Sequence, residues 1–162
     1  MTFIEFFKKQ FIEEGEITRK MLSRIPDGRF NFAPHPKSMS IEKLATHLAD
    51  LPGWIHYTFT TSGIDFAEPY VVPEVSQTKD LLNFFEQRYA DGLSALVPEN
   101  EALLHEPWTM RNGETVISSD PKIEVIRMSF SQLIHHRAQL GVYLRLLEIP
   151  IPGSYGPSAD ES

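Results

Sequence analysis

The stretch DPKIEVIRMSFSQLIHHRAQLGVYLRLL, residues 120–147, decides the fold. Asp120 is a good N-cap, and Pro121 fits the first helical position, where its missing N–H is not needed. Gln132, His136, Leu140, Tyr143 and Leu147 then recur at steps of three and four, one face of a long helix. Ile149-Pro150-Ile151-Pro152-Gly153 cannot continue it. Residues 148–162 read as an irregular C-terminal tail.

Three further helices are predicted upstream. Residues 2–25 open on Thr2 and Glu5, spaced for a capping box, and carry Phe3, Phe7 and Phe11 and then Ile17, Met21 and Ile25 as a core stripe. Ser40 caps a second helix, with Glu42 in its first turn and Leu44, His47, Leu48, Leu51 and Ile55 on one face. Pro52-Gly53 should interrupt that helix, because Pro52 has no N–H for the carbonyl of Leu48. Ser76 is read as the cap of a third helix with Leu81, Phe84, Phe85, Tyr89, Leu93 and Leu96 inward, closed by Pro98. Asn112-Gly113, between Trp108-Thr109-Met110 and Thr115-Val116-Ile117, predicts a short hairpin. The expected architecture is all-α, a single four-helix bundle over residues 1–162 with a small β insertion before the last helix. Long connections before the second and third helices argue against simple up-down topology.

The chain has 162 residues, 41% hydrophobic and 23% charged, enough for one globular core and unlike a disordered sequence. A net charge of -7 without any basic run argues against a nucleic-acid or anionic-membrane binder. The absence of cysteine excludes disulfides, Cys-ligated zinc, iron–sulfur clusters and a thiol nucleophile, and fits a reducing cytoplasm. Met1-Thr2-Phe3-Ile4-Glu5-Phe6-Phe7-Lys8-Lys9 has its charges in the wrong order for a signal peptide, and no apolar run approaches the ~20 residues of a membrane span. The expectation is a cytoplasmic protein. No Gly-x-Ser-x-Gly elbow, Gly-x-Gly-x-x-Gly or phosphate loop occurs.

Six histidines remain to carry chemistry. His35 and His105 fall in loops beside prolines, and His56 follows the Pro52 interruption. His47 lies in the leucine stripe of the second helix, and His136 is the inward member of His135-His136. Gln132 sits one turn before His136, so three side chains from two helices can meet at one point inside a bundle, where metal sites are commonly built. A buried imidazole satisfied by Gln, Tyr or a carbonyl is the competing reading. Asp50, three residues after His47, is placed to orient a ring or to pair with Arg137; for Arg137 a structural ion pair is favoured over a catalytic contact.

His135-His136-Arg137-Ala138-Gln139-Leu140-Gly141-Val142-Tyr143-Leu144-Arg145, then Pro150-Ile151-Pro152-Gly153-Ser154-Tyr155-Gly156-Pro157-Ser158-Ala159-Asp160, resembles the C-terminal signature of the DinB-like (DinB/YfiT) family. Residues 41–54, with Ala45-Thr46-His47-Leu48-Ala49-Asp50-Leu51-Pro52-Gly53-Trp54, resemble its second helix. The resemblance implies a four-helix bundle, frequently a homodimer, holding a divalent metal such as nickel or zinc on three histidines. His47 matches the first ligand and His136 the third, while Gln132 stands where the family has its second. An amide oxygen is a weaker donor than imidazole for late transition metals. The site is then weakened, re-routed through His135 or Asp50, or lost. Relatives include thiol-dependent transferases and metal-dependent hydrolases; with no Cys here, a thiol would arrive on a low-molecular-weight cosubstrate. His135, Asp50 and Tyr143 are the candidates for supporting or proton-transfer roles. The alternative is a metal-free bundle that binds a small molecule or a partner, its metal site decayed at Gln132.

Overall fold

The computed structural model describes residues 1–161, so Ser162 at the end of the expected tail lies outside the described residues. The chain is mostly helical, with a small three-stranded sheet. In order it forms α1 (Phe3–Leu22), α2 (Ile41–Asp50), α3 (Gly53–Thr60), β1 (Gly63–Asp65), α4 (Thr78–Ala95), β2 (Pro107–Asn112), β3 (Thr115–Pro121) and α5 (Lys122–Leu146), with 3-10 turns at Asp27–Arg29 and Pro98–His105. Both α4 and α5 pack against α1 and against the α2–α3 pair. No helix among the described residues is long and apolar enough to cross a membrane.

Local signals decide several boundaries. Thr2 and Glu5 form the expected capping box, the Glu5 N–H donating to Thr2 Oγ1 and the Thr2 N–H to Glu5 Oε2. Helix α1 stops at Leu22 rather than Ile25, since the N–H groups of Arg24 and Ile25 turn back to the carbonyls of Met21 and Leu22. Its stripe begins at Ile4, Phe7 and Phe11; Phe3 stays half exposed, flanking an open apolar groove with Phe6 and the α5 residues Ile123 and Ile134. Ser40 caps α2 through the Lys43 N–H, and Pro52 separates α2 from α3 as its missing donor requires.

Two expected caps are corrected. Helix α4 begins at Thr78, not after Ser76, because its exposed Thr78 N–H donates to Asp27 Oδ1 at 2.8 Å, a carboxylate from the turn after α1. The Thr78 hydroxyl donates to the Ile25 carbonyl as well. Asp120 does not cap α5. It lies in β3 opposite Trp108, and Pro121 takes the N-cap place while the Lys122 N–H donates to the Glu106 carbonyl at 2.9 Å. Strand pairing competes for the same backbone groups and wins.

The hairpin forms, one residue later than Asn112-Gly113 suggests. Asn112 pairs with Thr115, leaving Gly113 and Glu114 as the loop, and positive φ at Gly113 alone is the pattern of a type II′ turn. An isolated hairpin would be marginal. Here β1 adds a parallel third strand to β2, and the fully buried Trp108 ring is pinned by its indole N–H donating to Thr61 Oγ1 at 3.0 Å.

Close approach of α4 to the α2–α3 junction depends on Gly92. A Cβ there would lie 2.3 Å from the Pro52 carbonyl oxygen and 2.8 Å from Phe11 Cζ. Gly92→Ala should therefore cost about 1–3 kcal/mol in urea unfolding. Gly28→Ala, whose Cβ meets nothing within 4 Å, should stay within about 0.5 kcal/mol of the parent.

Candidate functional site

Helices α2 and α5 bring two imidazoles together from distant parts of the chain. The rings of His47 and His136 have centroids 4.7 Å apart and planes at 77°, an edge-to-face pair. His136 is 9% exposed and His47 half-buried. His136 Nδ1 lies 2.9 Å from Gln139 Oε1. An amide oxygen only accepts, so Nδ1 is the donor in that bond. Burial lowers the His47 pKa, the charge of His136 lowers it further, and Asp50 opposes both. His47 is therefore held in the neutral form, which is also the form that ligates a metal.

The remaining candidates are spread out. Gln132 is exposed on α5, with no hydrogen bond to either ring among the described residues. His135 is exposed, its ring centroid 5.0 Å from that of His136. Tyr143 sits in the core against Phe32, ring centroids 6.2 Å apart. Among the described residues no group of three or more His, Cys, Asp or Glu is placed to hold a metal ion. Two imidazole donors fit a late divalent cation in chemistry; the third donor would be an exposed amide.

Asp50 does not pair with Arg137. Only 2% exposed, it accepts from Arg88 Nε at 3.0 Å, from the Tyr70 hydroxyl at 2.8 Å and from the Trp54 indole N–H at 3.3 Å. A buried carboxylate is costly unless such donors surround it. Burial, reinforced by the Asp50 charge, pushes the Tyr70 phenol well above its ordinary value, so it remains a donor. Trp54 is legible in hindsight at i+4 from Asp50; Tyr70 comes from the irregular connection after β1, where no periodicity marks it.

Arg137 makes the structural ion pair instead, with Glu14 of α1. Its Nη1 lies 2.6 Å from Glu14 Oε2, out of line for a hydrogen bond, so charge carries that contact. Nη1 also donates to Thr18 Oγ1 at 3.1 Å, and Nη2 to the Tyr155 hydroxyl at 2.7 Å. Tyr155 in turn donates to Glu14 Oε1 at 2.7 Å. The tail is thus stitched to both long helices beside His136.

A sequence model of the DinB family matches residues 5–162. The chain belongs to the DinB family. The uncharacterized protein YrdA of Bacillus subtilis (strain 168) is 25% identical over 167 residues, covering 98% of this chain and 91% of YrdA. A DinB-like protein from Bacillus cereus ATCC 10987 superposes with a TM-score of 0.71 at 19% identity, covering 93% of this chain and 97% of that one. The DinB-like protein YjoA from Bacillus subtilis gives 0.69 at 14% identity, covering 96% and 98%. At such identities the likeness speaks for the fold of this DinB-family member.

Beside His47 the same helix borders a cavity of about 490 Å³, whose outer wall is the connection after β1. Tyr70 is the residue that ties that wall down. Tyr70→Phe, which keeps the ring and removes the donor, should cost about 1 kcal/mol, at the low end for a bond to a charge because water reaches Tyr70. Amide hydrogen exchange across residues 68–75 should accelerate; unchanged exchange would refute the anchoring role.

Proposed function

We propose that this DinB-family chain is a cytoplasmic protein that holds a divalent metal, nickel or zinc, weakly between His47 and His136, with Gln132 as third donor. The reaction class is hydrolysis or thiol transfer. The convergence of the two imidazoles at 4.7 Å carries this reading. When bound, such an ion supplies a Lewis acid that activates water or a thiolate. Within the chain, Gln139 orients the His136 ring, and burial favours the neutral form of His47. A thiol would be contributed by a low-molecular-weight cosubstrate, since the chain has no cysteine. A metal-free bundle binding a small molecule is the second reading, favoured by the lack of a three-donor His, Cys, Asp or Glu group among the described residues and by the cavity beside His47.

Calorimetric titration of untagged protein with nickel and zinc separates the two. On the metal reading the parent binds weakly and Gln132→His binds at least about tenfold tighter, because imidazole replaces an amide oxygen. On the metal-free reading the parent is inert and Gln132→His acquires affinity. A variant inert to both ions would contradict the ligand geometry itself. Homodimerisation belongs to the same proposal, supported by the half-exposed Phe3 and Phe6. Light scattering should give about twice 18.5 kDa; a mass near 18.5 kDa would exclude it.

A further inference from the structure

The cavity along α2 has a chemistry of its own. Its walls are mainly apolar, from Phe66, Tyr70, Val72 and Pro73 on the connection after β1 and from Trp54 on α3. A volume of about 490 Å³ is within the ~300–1,000 Å³ usual for small-molecule sites. Trp54 and Tyr70 present faces tilted at 56°, centroids 6.5 Å apart. Aromatic faces attract cations through their quadrupole, most strongly where water is displaced. Tyr70 donates its hydroxyl proton to the Asp50 carboxylate, which leaves its ring richer in electrons.

Formal charge around the cavity has the complementary sign. The Asp50 charge is matched by Arg88, outside the lining. That leaves Glu42 and Glu74 against Lys43 alone. An anion would meet this excess unfavourably, and a bare or hydrated metal ion would meet mostly hydrocarbon. Thr46, 6% exposed, also lines the cavity, but its Oγ1 is itself sealed from solvent and has no hydrogen-bond partner among the described residues, so it offers the cavity no polar contact.

We propose that this cavity binds a small organic ammonium, a protonated amine carrying an apolar or aromatic body, with the body against Trp54 and Tyr70 and the N–H groups directed to the Glu42/Glu74 side. His47 also lines the cavity, but the inference does not rest on the metal reading, because none of the proposed contacts uses His47, Gln132 or His136.

Matched probes of one shape test it: 2-phenylethylammonium, 2-phenylethanol and phenylacetate, titrated into the full chain by calorimetry with a chelator present throughout. The ammonium should bind in the millimolar range or better and at least about tenfold more tightly than the alcohol or the carboxylate. Glu74→Gln, an exposed change that spares the core, should weaken the ammonium several-fold and leave the alcohol unaffected. Glu42→Gln should likewise weaken the ammonium several-fold. Equal binding of the three probes, preference for phenylacetate, no binding of the ammonium, or indifference to both substitutions would overturn the proposal. Because the chelator removes divalent ions, its failure would say nothing about His47 and His136, and an inert metal titration would say nothing about the cavity.

Discussion

A carboxylate taken out of water must be surrounded by donors, and Asp50 is where this fold meets that demand. The donors come from α3, from α4 and from the connection after β1. Each would otherwise be free to settle elsewhere. With Trp54, Arg88 and Tyr70 drawn to one point, α2 is held against α4, the loop is folded over α2, and the His47 face is fixed between α5 and the cavity. Removing Arg88, the one charged donor, would leave the Asp50 charge unmatched in a low-dielectric setting, which costs far more than an exposed ion pair contributes.

The two imidazoles follow from that placement. His47 and His136 approach because α2 and α5 pack along their apolar faces, with Leu44, Leu48, Leu140 and Leu144 in a common core. Neither ring makes the packing. They occupy positions on stripes that hydrocarbon has already brought together, so the pair survives in geometry even where a neighbour such as Gln132 offers a different donor and stays exposed.

Much of this was legible in one dimension. Helical periodicity located the helices, the Thr2–Glu5 and Ser40 caps marked two starts, and Pro52 marked the break between α2 and α3. His47 and His136 were legible for the same reason, as polar residues on apolar stripes. The misread starts at Ser76 and Asp120 have a common cause: a local cap lost to a distant partner, Asp27 in one case and strand pairing with β2 in the other. The parallel strand β1 is three residues long and has no pattern to announce it. Tyr70 and Arg88 were invisible as site residues, because what defines them is a tertiary neighbour.

The clasp of Glu14, Arg137 and Tyr155 carries a consequence for biosynthesis. Its hydroxyl-to-carboxylate bond joins residues 141 positions apart, and a guanidinium that is only 2% exposed lies between them. While a nascent chain still has Tyr155 inside the ribosome, Arg137 has no complete set of partners and the long last helix has reason to stay hydrated. Contacts of such sequence separation also slow the search for the native state. Final consolidation of this molecule therefore waits until Tyr155 has emerged, when both edges of the clasp are free to meet.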